Sequence, residues 1–121
     1  MTYDIGLPKN REPVTRRIVL DARFEELRSV SRIEVREIHM VAGLAAGLHV
    51  HNGPVLGNIV KGVVAFQIEG QPVQRLEPGD VFFEPEGARI ARFDALDEDV
   101  TFLGYFPLGE EQEPEIEILD A

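Results

Sequence analysis

The strongest chemical signal in the chain is His49-Val50-His51, preceded by Gly43 and Gly47. On a β-strand, residues two apart face the same side, with Cα atoms roughly 6.5–7 Å apart. Two imidazoles so placed can lean together onto one ion. Two ligands rarely hold a catalytic metal, however, and three protein ligands are usual. The plainer alternative is a pair of histidines hydrogen-bonded in or near a barrel mouth, and spacing alone favours it. Other chemistries fail for want of residues. The chain has no cysteine, no Walker A or dinucleotide fingerprint and no nucleophile elbow. Its only serines, Ser29 and Ser31, lie in a polar connection near the N-terminus. Covalent catalysis is therefore not expected. Gly43-Leu44-Ala45-Ala46-Gly47 lacks the lysine of a phosphate loop and leads into a strand.

The elements that must position the two histidines are short and β-forming. Eight of the eleven glycines fall between Gly43 and Gly87, interleaved with Pro54, Pro72, Pro78 and Pro85. They cut the chain into segments of about ten residues. Strands are expected at Ile33–Val41, Gly57–Val60, Val63–Glu69, Val73–Leu76, Val81–Glu84, Arg89–Phe93 and Val100–Phe106. Glu69-Gly70-Gln71 and Pro78-Gly79-Asp80 read as tight turns between antiparallel neighbours. This pattern indicates an all-β sandwich or barrel. Helix is expected only as a turn or two from Asp21 to Leu27, with Asp21 as N-cap. Val63-Val64-Ala65-Phe66 and Val81-Phe82-Phe83 are apolar on both faces, so something outside the barrel must cover them. A homodimer is one way to do so.

Composition narrows the partners. The 121 residues carry 12 basic and 22 acidic side chains, a net charge of −10. That field repels phosphate, so nucleic acid and anionic membranes are not expected partners. Residues 1–37 are nearly balanced, and the excess acid lies in 38–121, with six acids after Gly109. The final stretch reads as a solvated tail, though Ile116, Ile118 and Leu119 could pin it to the body as a late strand. Met1 to Arg11 has no apolar core of a signal peptide, and the longest apolar run, Val41–Leu48, is far below the ~20 residues of a membrane span. The expectation is a cytoplasmic protein.

Gly43, His49, His51 and Gly62, followed in register by Gly79, Pro85 and Gly87, resemble the two sequence motifs of the cupin superfamily. The resemblance runs from about Ile33 to Phe106. It implies a small jelly-roll barrel, commonly dimeric, in which two His and a Glu of the first motif and a His of the second hold a metal inside. Two of those positions depart from the motifs. Val55 stands at the glutamate position and Ile90 at the second-motif histidine, while Asp94 takes the place of an asparagine. Neither Val nor Ile offers a lone pair, so the usual four-ligand set cannot form.

Three readings stay open. In a rebuilt site, His49 and His51 recruit a carboxylate, with Glu84 the best candidate and Zn, Fe, Mn or Ni the divalent metal; His39 is a further inward candidate. In a metal-free pocket, Ile38, Met40, Val55, Phe66, Phe83, Ile90 and Phe102 line the interior, with Asn58, Gln67 or Tyr105 as polar contacts. Some cupins, sugar epimerases among them, catalyse without metal using His as base, and His49 or His51 would serve so here. In the last, the barrel is a non-catalytic ligand-sensing or structural module. Arg89 and Arg92 either hold a substrate carboxylate or pair with acidic neighbours.

The sequence thus predicts an all-β chain, a single-domain cupin double-stranded β-helix (jelly-roll barrel). Residues 1–13 form a leader, 14–109 the barrel and 110–121 the acidic tail. A small-molecule ligand is expected at His49 and His51, with Glu84, Ile90, Val55, Phe66 and Tyr105 around it.

Overall fold

The structure, a computed structural model, describes residues 12–119. Most of the leader lies outside the described residues. Nine strands form: β1 (Arg32–Met40), β2 (His49–His51), β3 (Val55–Lys61), β4 (Val64–Ile68), β5 (Gln74–Leu76), β6 (Val81–Glu84), β7 (Ile90–Ala95), β8 (Val100–Leu108) and β9 (Ile116–Ile118). They make two antiparallel sheets, β1-β8-β3-β6 and β5-β4-β7-β2-β9. Strands 1-8-3-6 facing 2-7-4-5 are the two interleaved Greek keys of a jelly roll. The expected strands are all present, displaced by a residue or two at their ends, and both expected tight turns close, through Gln71 N–H to Ile68 O and Asp80 N–H to Glu77 O. Only the first joins antiparallel neighbours, β4 and β5; the second carries the chain from β5 to β6 in the other sheet.

The interior is aromatic. Phe66, Phe82, Phe93 and Phe102 touch across the two sheets, with ring centroids 4.8–6.1 Å apart and inclined or edge-on. At one inward position the structure differs from the expectation. Phe82, not Phe83, enters the core, because β6 alternates and its partner Gly57 on β3 leaves room for the ring. A Cβ built on Gly57 would lie 2.3 Å from the Phe82 ring. Phe83 points outward and is covered by Phe24, with centroids 6.3 Å apart. The N-terminal segment thus covers one of the doubly apolar strands.

No helix occurs among the described residues, and none is long and apolar enough to cross a membrane. The helical turns expected at 21–27 are absent. Only Phe24 finds an apolar partner there, Leu27 is fully exposed, and Asp21 pairs with Arg23 instead of capping. Phe24 and Leu27 stand at helical spacing, but Leu27 buries nothing, and tertiary packing is what stabilises short helices.

The acidic end is not loose throughout. β9 adds to the sheet beside β2, pairing Ile118 with His49 and Ile116 with His51. Asn52 clips the approach to it: its side chain donates to Glu113 O and accepts from Glu115 N–H, each at 2.9 Å. The late strand anticipated at Ile116 and Ile118 therefore borders the two histidines.

Candidate metal centre

β2 presents His49 and His51 on one face, and β6 brings Glu84 from the opposite sheet. His49 Nε2 lies 3.2 Å and His51 Nε2 3.4 Å from the same oxygen, Glu84 Oε1. The two rings stand almost perpendicular, 5.0 Å apart at their centroids. His49 and Glu84 are only 3% and 4% exposed, and His51 is half-buried.

Glu84 stands opposite the strand position at which the resemblance calls for the acid. Its Cα partner on β3 is Val55, the position at which the resemblance calls for glutamate. The carboxylate therefore comes from the neighbouring strand, facing the same interior. Ile90, fully buried, pairs in register with His49 and packs in the core instead of offering a fourth ligand.

The donor set fits a cation. His49 Nδ1 lies 2.7 Å from the Gly47 carbonyl and donates to it, which leaves Nε2 facing Glu84. In the neutral ring that nitrogen carries a lone pair aimed at a carboxylate, an arrangement that demands a proton or a metal between them. One donor atom from each of the three side chains lies within 4.8 Å of the others. Donors bound to one first-row cation at about 2.1 Å stand roughly 3.0–3.4 Å apart, the spacing of each imidazole nitrogen from the Glu84 oxygen.

The same geometry sets the ionisation. Burial, the largest single influence on Glu84, pushes its carboxyl up, but hydrogen bonds and charge from His49 and His51 outweigh it and hold it below the usual 4.5. For His49, burial again acts most strongly and favours the neutral ring. The bonds to Glu84 and Gly47 and the Glu84 charge overcome it, so the imidazole titrates above 6.5. The Glu84 contribution to stability is complete above its unfolded value near 4.5 and lost as pH falls through the lower folded one. The His49 contribution is complete below its unfolded value near 6.5 and lost as pH rises through the higher folded one. Chelator-treated protein is therefore expected to melt at its highest temperature between these limits and lower on both sides. A melting temperature that falls on neither side of that window would contradict the pairing.

The triad opens into a cavity of about 450 Å³. Ile38, Met40, Val55, Phe93, Phe102 and Phe106 form much of its wall. Of the other residues expected around the ligand, Phe66 belongs to the core behind this wall. Tyr105 does not reach the site. On β8 it alternates with the inward Phe102, Gly104 and Phe106, so its hydroxyl faces outward and donates to Asn58 Oδ1 at 2.6 Å. Gln67 likewise turns away, to the Gln71 carbonyl. Arg89 pairs with Glu69 and Arg92 with Asp94, both at the surface. His39 is exposed at the cavity rim, between Thr101 and Glu37, and does not join the triad.

Two contributions were not anticipated. Arg36 reaches the cavity, and so do Pro114, Glu115 and Ile116 from the C-terminal segment. The first had a signal: Ile38 and Met40 were expected inside, and strand alternation puts Arg36 on their face. The second depends on which way the tail folds back, which no local pattern states.

No protein-family profile matches the sequence, and no curated protein is similar to it. Solved structures are similar. DMSP lyase DddQ from Ruegeria pomeroyi DSS-3 is 30% identical over 69% of this chain and 42% of its own, with a TM-score of 0.60. A cupin-like protein from Thermotoga maritima is 23% identical over 69% and 62%, with a TM-score of 0.59. Oxalate oxidase in complex with the substrate analogue glycolate is 18% identical over 72% and 46%, at 0.61. The chain spans less than half the length of the DMSP lyase it matches.

Proposed function

Because this chain is a cupin by fold, we propose that it binds a small organic molecule inside the barrel beside a divalent metal held by His49, His51 and Glu84. The observation that carries this reading is the convergence of two imidazole nitrogens on one buried carboxylate oxygen at 3.2 and 3.4 Å. Two His and one carboxylate on one side of an ion leave its other side for ligand. Similar structures that bear the names of a lyase and an oxidase of small molecules support a catalytic role.

Bound there, a divalent ion supplies Lewis-acid polarisation of a ligand oxygen. The chain does the rest. Glu84 contributes the compensating negative charge. The Gly47 carbonyl fixes the His49 ring and its tautomer. Ile38, Met40, Val55, Phe93, Phe102 and Phe106 exclude water and orient an apolar body. We place the protein in the cytoplasm, in keeping with its lack of cysteine. We also take it to act as a homodimer. Ile33 and Val35, exposed on the outer face of β1, support that assembly.

Calorimetric titration of chelator-treated protein with Zn(II) or Mn(II) tests the site. One ion per chain is expected, with binding lost in both His49→Ala and His51→Ala. Failure of the unaltered protein to take up either metal would overturn the reading and leave a metal-free ligand-sensing or structural module in its place.

A further inference from the structure

The cavity-facing side of β1 changes character along its length. Arg32, Glu34 and Arg36 give way to Ile38 and Met40 as alternate residues of one face. Glu34 is shared: Oε2 accepts from Arg32 at 2.8 Å and Oε1 from Arg36 Nε at 2.7 Å. The Glu34 carboxyl is accordingly held below its usual range by hydrogen bonds from Arg32 and then Arg36. Glu34 is thus divided between two guanidinium groups and matches neither of them alone. Arg32 is further engaged by the Gln112 carbonyl and Glu113, whereas Arg36 is not.

Among the described residues, Arg36 is the only basic residue on the cavity wall, apart from the histidines. Its guanidinium lies 5.4 Å from the centre of the Phe106 ring, another wall residue, and Glu34 takes Nε and Nη2. Among the described residues, Nη1 has no hydrogen-bond partner. The group is thus oriented on one edge and open on the other, the form in which arginine receives an oxyanion. Against it stand apolar walls and a single further acid besides Glu84, the exposed Glu115 at the mouth.

We propose that the ligand class of this cavity is the small organic monocarboxylate, its acid group on Arg36 and its apolar body against Met40, Phe102 and Phe106. This rests on the metal and ligand site proposed above. A lone guanidinium edge suits one acid group, and Glu115 disfavours a second. In a chain of net charge −10, the half-exposed Arg36 at the cavity wall is a local exception that an acid group entering the cavity can use.

The test compares unaltered protein, Arg36→Leu and Arg36→Lys, each loaded with Mn(II), against butyrate, butyramide and butylamine by calorimetry. Metal stoichiometry is read first and is expected to be equal in all three, since Arg36 is not a ligand. A failure there strikes the metal reading and not the role of Arg36. Butyrate is expected to bind more tightly than the amide or amine. Arg36→Leu is expected to weaken butyrate by about tenfold to a hundredfold, the worth of a charge-assisted pair, with Arg36→Lys between. Equal butyrate affinity in Arg36→Leu, with metal retained, would overturn the proposal. So would amine or amide binding as tightly as the acid.

Discussion

Glu84→Gln is expected to abolish stoichiometric metal binding while leaving the barrel folded. The substitution keeps the size of the side chain and supplies an amide N–H that can donate to the His49 Nε2 lone pair, so packing against Val55 and β3 survives. It removes the only carboxylate of the three-residue group and the one negative charge near enough to offset a cation in a site 3–4% exposed. Changes to groups that merely orient a ligand already cost 10–100-fold in affinity. Loss of a ligand that also carries the charge should exceed that. The amide also abolishes the main reason for His49 to titrate high, so the alkaline flank of the melting profile, which rests on His49, should flatten. His49→Ala should behave differently. It leaves the Glu84 carboxylate buried without its closest partner, and breaking a buried pair from one side typically costs about 3–5 kcal/mol. Metal content and thermal melting of the two variants separate these effects. Retention of metal by Glu84→Gln would remove the carboxylate from the site.

Gly62→Ala is expected to be among the most destabilising single changes in the barrel, although it touches neither metal nor ligand. The residue turns the chain between β3 and β4 at φ +84°, and a Cβ there would lie 2.4 Å from the Asp99 carbonyl oxygen. That oxygen is backbone, at the approach to β8, and the next contact is Val100, 1% exposed in the core. Neither can swing aside. The left-handed conformation alone costs roughly 1–2 kcal/mol for alanine, and the overlap adds an overpacking term of about 1–3 kcal/mol. Gly70→Ala is the control. It has the same φ, +85°, but nothing within 4 Å of the added methyl. It should lose the first term only. Denaturant unfolding of the pair reads the difference, and equal losses would show that the Asp99 contact yields.

Gly62 also shows what the sequence could and could not reveal. Its place in a motif was legible, and the motif spacing led to the jelly roll, because turn glycines and β-forming runs are local facts. The histidine pair was legible for the same reason: period-two spacing fixes a shared face. Glu84 could be named but not oriented, since Val81-Phe82-Phe83-Glu84 is apolar on both parities. Only the Gly57–Phe82 fit across β3 and β6 decides which face turns in. That same ambiguity misassigned Phe83. Tyr105 was misassigned because β8 has no polar–apolar alternation strong enough to show its outward face. The C-terminal contribution was least legible, because β9 reaches the site through long-range pairing with β2 and the Asn52 clip.

The central claim, that this barrel is built to hold a cation between its two sheets, is tested most directly by anomalous diffraction. Crystals would be grown from chelator-treated protein with added Zn(II) or Mn(II). A single strong peak is expected within bonding distance of His49 Nε2, His51 Nε2 and the Glu84 carboxylate. A map with no peak among those three atoms at saturating metal, or with peaks only at surface carboxylates, would contradict it.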